Sequence, residues 1–298
     1  MYSTGNKTVF KEAATVILVR PSQTAGWKIF LARRHHKQPF MAGAYVFPGG
    51  QMEDADMASQ WRQCIYNDAS FNPGRQLRDE NLSGEKALGY FICGIRETFE
   101  EVGILLGGNE KGEFVSFHKK DVRSKYNDCR LRLAASKITF KEIIAKENVL
   151  LFPDKIVAYA HWITPEFEKM RFDTRFFLAK LPPEQRPVAD AIELTESLWV
   201  APKNALEMHS RKEIMLMPPT LKTIEELSAF AGIDELFAAA APKEIYPILP
   251  QLSGKCLLLP HDPDYSIAGY KRPPDTSIPS RITSENGVWK TAHYKNDG

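Results

Sequence analysis

Three glutamates crowd the segment Arg96-Glu97-Thr98-Phe99-Glu100-Glu101-Val102-Gly103-Ile104. On a helix, Glu97, Glu100 and Glu101 fall at i, i+3 and i+4 and share one face, while Phe99 and Val102 point toward a core. Carboxylates so close repel one another unless a cation neutralises them. Their oxygens are also the hard ligands that magnesium takes. Arg96, four residues before Glu100, is spaced to orient it. A solvated acidic face is the ordinary reading of E-x-x-E-E. Here the opposite helix face is strongly apolar, Gly103 closes the helix, and a Phe47-Pro48-Gly49-Gly50 turn lies upstream. A site for a divalent cation is the reading these residues support.

A helix must hold those glutamates. Phe91, Ile92, Ile95, Phe99 and Val102 recur at helical spacing and predict one over residues 85–102, with Gly103 as its cap. Residues 13–20 and 27–33 are β-branched and apolar around a turn, which predicts a hairpin or neighbouring strands. Residues 43–50 read as a short strand ending in the Pro-Gly-Gly turn, and 104–106 as another strand. Residues 57–83 are polar with scattered aromatics. Loops longer than about 12–15 residues are usually functional or disordered, so 57–84 is expected to be an ordered excursion beside the site. Residues 107–150 are mixed and partly helical. Strands follow at 158–164, 174–181 and 198–200, and helices at 202–208 and 218–231, the last with Pro218 where a missing N–H costs least. Beyond 242 the chain is proline-rich, with one apolar run at 256–259.

The bulk composition narrows the partners. The 298 residues carry a formal net charge of +2, from 39 basic and 37 acidic side chains, so no footprint for nucleic acid or an anionic membrane surface is present. No stretch approaches the roughly 20 apolar residues of a membrane span. Cys64, Cys93, Cys129 and Cys256 lie far apart, against a zinc site or a disulfide framework. The N-terminus has no signal-peptide layout and the C-terminal YKNDG is not a peroxisomal address, which leaves the cytoplasm as the default.

The segment from Arg96 to Ile104 resembles the second half of the Nudix signature, G-x5-E-x7-R-E-U-x-E-E-x-G-U, where U is bulky and apolar. Arg96, Glu97, Glu100, Glu101, Gly103 and Ile104 match, and Thr98 takes the first U position. The first half is similar to Phe47-Pro48-Gly49-Gly50, followed by Asp56 where the family has glutamate. Between Asp56 and Arg96 lie 39 residues against the usual 7, an insertion of about 32. The motif-19 type coenzyme A diphosphatases carry a long insert at the same place. Their F-P-G-G-x4-A-D and I-R-E-x-F-E-E-x-G-x-L-L flank it, as do the corresponding residues here. Similarity continues at His161-Trp162-Ile163-Thr164-Pro165, at residues 171–178 and at Pro218-Pro219-Thr220. Their approach L-L-x-x-R then G-x-x-x-F-P-G-G corresponds to Leu31, Arg33 and Arg34, then Gly43 through Gly50. The family's second arginine is Pro39 here, with Arg33, Arg34, His35, His36 and Lys37 nearby to supply charge.

The resemblance implies a Nudix α/β/α sandwich with a mixed sheet. It implies a Nudix domain over 1–241, inserts at about 57–84 and 107–150, and an extension over 242–298 packing on the domain. It implies hydrolysis of a phosphoanhydride with Mg2+, for which Mn2+ substitutes, most closely of coenzyme A or acyl-coenzyme A to 3',5'-ADP and (acyl-)4'-phosphopantetheine. Glu97, Glu100, Glu101 and the Gly49 carbonyl would hold metal, with Arg96 orienting the glutamates within the catalytic set. Arg33, Arg34, Phe47 and Gly50 would meet substrate, and arginine forks suit phosphate oxygens. Glu193 and Glu196 both remain candidates for a further ligand or base. His161, Trp162 and Asp173 read as packing and strand-start residues. Another nucleoside diphosphate derivative as substrate (ADP-ribose, a dinucleotide or a nucleotide sugar), a non-catalytic nucleotide sensor, and a homodimer stay open.

Overall fold

The structure is a computed structural model that describes residues 10–38, 41–190 and 192–295; Pro39 lies outside the described residues. Strand β1 (Lys11–Ser22) sends alternate side chains to opposite faces. Ala14, Val16 and Leu18 enter one core, and Ile17 and Val19 enter the other. A strand covered on both faces needs apolar residues of both parities. β2 (Gly26–Arg34) folds back antiparallel, with Val19 opposite Ile29. The single strand expected over 43–50 is two: β3 (Tyr45–Val46) pairs β2, and β4 (Gly49–Gln51) pairs β1. Pro48 breaks it, having no N–H to give a ladder, while its carbonyl accepts the Val16 N–H at 2.8 Å.

The excursion after β4 folds as short 3-10 turns at Asp54–Met57, Ser59–Cys64 and Asp68–Ser70, and a helix α1 (Pro73–Leu77). Trp61, Ile65, Phe71 and Leu77 bury themselves in the core under the next helix, and Phe71 meets Phe91 edge-on at 5.0 Å. That helix, α2 (Gly84–Val102), starts at Ser83, whose hydroxyl accepts the Lys86 N–H. It ends at Gly103, in the left-handed region at φ 72°, with its N–H on the Phe99 carbonyl. Phe91, Ile92, Ile95 and Phe99 are fully buried along one side. Each such side chain contributes about 1.5–3 kcal/mol, so the apolar face fixes the helix and leaves the glutamate face for chemistry.

Residues 104–106 are buried but are not a strand. The Gln185 side chain accepts the Leu105 N–H at 2.9 Å and donates to its carbonyl at 3.1 Å, in place of a neighbouring strand. Pairing begins at β5 (Gly107–Gly108), which meets β6 (Leu150–Leu151). Between them run α3 (Lys120–Ala134) and α4 (Phe140–Lys146), the latter opened by a Thr139–Glu142 capping box. Arg130 of α3 reaches the last turn of α2: Nε donates to the Glu100 carbonyl at 2.7 Å and Nη2 to that of Glu101. Helix-end carbonyls lack partners of their own, and a buried cation there is doubly suited.

β7 (Ile156–Ile163) and β8 (Phe172–Lys180) are antiparallel, and β8 runs parallel to β1 from Lys11↔Phe172 to Val19↔Lys180. β9 (Leu194–Val200) pairs β2; its exposed Thr195, Glu196 and Ser197 hid its first half from the sequence. Helices α5 (Pro202–Ser210), α6 (Pro218–Leu227) and α7 (Ile233–Ala240) then cover the second face, with α6 stopping four residues before the expected 231. β10 (Pro247–Ile248) adds parallel to β7. Among the described residues eight strands form one mixed sheet, ordered β10-β7-β8-β1-β2-β3 with β4 on β1 and β9 on β2. It lies between α2 and the α5–α7 layer, an α/β/α sandwich. A separate antiparallel sheet follows, in the order β11 (Gln251–Ser253), β12 (Cys256–Leu258), β13 (Arg281–Glu285) and β14 (Val288–Ala292). Its Leu257 and Ile282 enter the same core as α6. All four cysteines carry free thiols, and among the described residues no helix is long and apolar enough to cross a membrane.

Arg130→Met keeps much of the aliphatic bulk but removes both hydrogen bonds to the end of α2. We expect a loss of about 2–4 kcal/mol in urea unfolding, from two charge-assisted bonds to buried carbonyls. A loss below about 0.5 kcal/mol, the size of an ordinary surface substitution, would mean that α3 does not hold the helix.

Candidate active site

Arg96 organises the carboxylates. It is 6% exposed, and its Nε and Nη2 each donate at 2.9 Å to Asp56, itself 1% exposed. Nη2 also donates to the Gln51 carbonyl at 3.0 Å. Nη1 reaches Glu97 at 2.9 Å and Glu100 at 3.4 Å. One guanidinium thus spans the turn after β4 and the acidic face of α2. Asp56 is further fixed by the Glu53 backbone N–H at 2.9 Å. Glu101 points elsewhere and accepts the Gly49 N–H at 2.9 Å.

The two glycines let turn and helix meet. A Cβ on Gly50 would stand 2.5 Å from the Glu97 carboxyl, and one on Gly49 would stand 2.3 Å from the Ala14 carbonyl oxygen. The Gly49 contact is with backbone and requires glycine there, whereas a side chain at Gly50 would have to push the Glu97 carboxyl aside. Thr98, at the first apolar position of the signature, is satisfied inside the core because its hydroxyl donates to the Gly94 carbonyl at 2.7 Å.

The carboxylates are more numerous than the positive charge near them. Burial raises the Glu97 pKa; Arg96 opposes this, and Glu100 adds to it. Burial raises Glu101 well above the usual carboxylate range, Glu97 adds to this, and the Gly49 N–H opposes it. Glu100 is also raised by burial, against the pull of Arg96, with Glu53 and Glu193 adding repulsion. Among the described residues no three acidic, histidine or cysteine side chains converge on one point; Arg96 holds Glu97 and Glu100 while Gly49 holds Glu101. The donor set still fits a divalent cation. It offers hard oxygens only, pressed against a backbone turn with no side chain, where burial disfavours uncompensated anions.

A cavity of about 610 Å³ opens on this turn. Of the residues singled out by sequence, Arg34, Phe47, Gly49, Gly50, Glu97 and Glu193 line it. Phe47 packs edge-on against Phe176, ring centres 6.5 Å apart. Glu100, Glu101 and Arg96 are not part of the wall. Arg33 is not brought there either: it pairs with Glu196 at 3.3 Å, and Glu196 also accepts the Tyr45 hydroxyl at 2.9 Å. The structure therefore separates Glu193, on the cavity, from Glu196, which is engaged beside β2. Glu53 also lines the cavity and escaped sequence reading; the E-x-x-D spacing of a turn cap was its only signal. Trp162 lines the cavity, whereas His161 bonds Asp173 at 2.7 Å. Among the described residues none of 57–84 lines the cavity, and the excursion's Trp61, Ile65, Phe71 and Leu77 pack in the core with α2.

A family model described as the NUDT19 Nudix domain matches residues 10–227. The chain is 27% identical to the acyl-coenzyme A diphosphatase NUDT19 of Xenopus laevis, over 96% of this chain and 89% of that protein. It is 27% identical to the protein of the same name from Gallus gallus, over 86% of this chain and 82% of that one. A crystal structure of a Nudix hydrolase from Alicyclobacillus acidocaldarius superposes with a TM-score of 0.63 at 20% identity, over 80% of this chain and all of that one.

Two substitutions separate the roles at this site. Gly50→Ala drives a methyl group into Glu97, and we expect Mn2+ affinity in titration calorimetry to fall about 10–100-fold, as when a ligand's support is lost. Unchanged affinity would place the metal elsewhere. Asp56→Ala strands a buried guanidinium and should cost about 3–5 kcal/mol in denaturant unfolding; a cost under about 1 kcal/mol would show that Arg96 finds its own way to solvent.

Proposed function

Because the chain belongs to the Nudix hydrolases, in the family described as the NUDT19 Nudix domain, we propose that it is a diphosphatase of coenzyme A and acyl-coenzyme A, releasing 3',5'-ADP and (acyl-)4'-phosphopantetheine. The observation that carries this reading is the cavity itself: Glu97, Gly49 and Gly50 form part of its wall beside Arg34, and much of the rest is apolar. A diphosphate belongs at the first part and a largely uncharged organic arm at the second. The names borne by the relatives in Xenopus laevis and Gallus gallus support the same substrate.

Glu97, Glu100, Glu101 and the Gly49 carbonyl would hold Mg2+ or Mn2+, which when bound neutralises diphosphate charge and makes a water more acidic. The chain's own groups do the positioning. Asp56 holds Arg96, and Arg96 holds Glu97 and Glu100 at the edge of the turn. Arg34 meets phosphate oxygens from the wall. Glu193 is the base: it accepts a proton from the attacking water as its oxygen bonds to one phosphorus, and the bridging oxygen leaves with the other phosphate. The bonds of Glu196 to Arg33 and Tyr45 favour Glu193 over it for that task. No covalent enzyme intermediate is required, and catalysis rests on placement and charge.

Product masses after incubation with coenzyme A, acyl-coenzyme A, ADP-ribose and dinucleotides, each with Mg2+ or Mn2+, test the substrate. We expect 3',5'-ADP from the coenzyme A forms only while metal is present, with turnover stopped by EDTA. ADP-ribose or a dinucleotide preferred by about tenfold or more in kcat/KM, some 1.4 kcal/mol at the transition state, would overturn the coenzyme A reading. Glu193→Gln should lower kcat about 10²–10⁴-fold and Glu196→Gln by less than about threefold. The reverse order would give the proton to Glu196.

A further inference from the structure

The cavity is longer than the site at its polar end requires. One row of paired residues crosses the sheet beneath it: Gln51 opposite Ala13, Ala13 opposite Thr174, Thr174 opposite Trp162, and Trp162 opposite Ile248. Ala13, Thr174 and Trp162 of this row line the cavity. Strands lie about 4.8 Å apart, so Trp162 is roughly 14 Å across the sheet from the metal turn and Ile248 roughly 19 Å. Besides Glu97, Glu53 and Arg34, the wall holds the apolar side chains of Trp162, Phe167, Met170, Pro250, Leu257 and Trp289. Leu257 and Trp289 come from the C-terminal sheet, on β12 and β14. Phe167 and Met170 come from the β7–β8 connection, and Phe167 is 50% exposed.

This inference rests on the coenzyme A reading and goes beyond it. The pantetheine arm from phosphorus to sulfur is about 13 bonds, which at the pitch of an extended polypeptide backbone reaches at most about 15 Å. An arm whose phosphate sits at the glycine turn therefore brings its sulfur to Trp162, and Pro250, just after the neighbouring strand β10, also lines the cavity. We propose that the far end is an acyl-recognition subsite, walled by the C-terminal sheet through Leu257 and Trp289 and by Phe167 and Met170. It selects hydrocarbon acyl thioesters over free coenzyme A. The only charge among the described residues on that stretch of wall, Glu168, repels an acyl group that ends in a carboxylate. The C-terminal sheet is then part of the substrate site and not only a covering of the core.

The test is a profile of kcat/KM against acyl length for the full chain and three variants, Phe167→Ala, Met170→Asp and Trp289→Leu, with free coenzyme A as the common reference. For the unaltered protein, kcat/KM relative to free coenzyme A should rise by about two- to fourfold per added methylene until the cavity is filled. In each variant the ratio of long-chain acyl-coenzyme A to free coenzyme A should fall at least about tenfold, chiefly through KM. Phe167 and Met170 lie on a surface connection, so they decide the matter even if Trp289→Leu fails to fold by circular dichroism. Ratios that stay within about twofold of the unaltered protein, or a free coenzyme A preferred over every acyl form, overturn the subsite and leave the coenzyme A reading standing. Failure of the unaltered protein to cleave any coenzyme A form overturns both.

Discussion

The structure hangs on a buried guanidinium. Arg96 is held by two bonds to Asp56, one to the Gln51 carbonyl and two to glutamates of its own helix. Burying that many charges is unfavourable unless each is met, and here every partner lies within hydrogen-bond reach. The consequence is a rigid joint between the turn after β4 and the acidic face of α2. In the Nudix signature seven residues lie between the equivalent positions. Here 39 residues intervene, and the contact still closes at 2.9 Å. The signature is a spatial object: what has to be kept is the salt bridge, and the length of chain between its ends is free to grow.

Glycine supplies the complementary constraint. Gly49 lies against Ala14 and Thr15 of β1, and Gly50 against the Glu97 carboxyl, closer than any side chain permits. Because β4 presents only backbone there, a carboxylate on α2 takes part in a cavity whose floor is built by β1, β7 and β8. The sheet contributes shape, the helix contributes charge, and two absent side chains join them.

What the sequence discloses is what is local. The helical period of Phe91, Ile92, Ile95 and Phe99, with Gly103 beyond it, locates α2 within a residue, and the face opposite those residues identifies the glutamates. Alternation and β-branching likewise locate β1, β2, β7 and β8. What stays hidden is decided by partners far away in the chain. Residues 104–106 look like a strand because they are apolar, yet Gln185, 80 residues on, takes both backbone groups of Leu105. Arg33 and Arg34 are adjacent in sequence and differ in destination, since neighbouring strand residues face opposite ways and a register shift between them sets which face meets the cavity. The same registration separates Glu193 from Glu196. No local pattern reports it, because parity relative to a distant floor is a property of the folded sheet.

The parallel pairing of β1 with β8 has a bearing on how the molecule comes into being. Lys11 pairs with Phe172, about 160 residues later, and the ladder between them is the middle of the cavity floor. Contacts of such long range are slow to form, because the loop they close costs entropy before anything is gained. During synthesis β1 leaves the ribosome with apolar side chains on both faces and waits for more than half the chain before its parallel neighbour exists. A nascent or truncated chain ending before β8 would carry Arg96 and the whole acidic helix and still have no floor beneath them. It would instead expose a two-faced apolar strand with an open edge, a surface that chaperones bind and that drives aggregation. The acidic face of α2 is complete by Glu101, about a third of the way along the chain, but it meets the cavity floor only after β8 has been made.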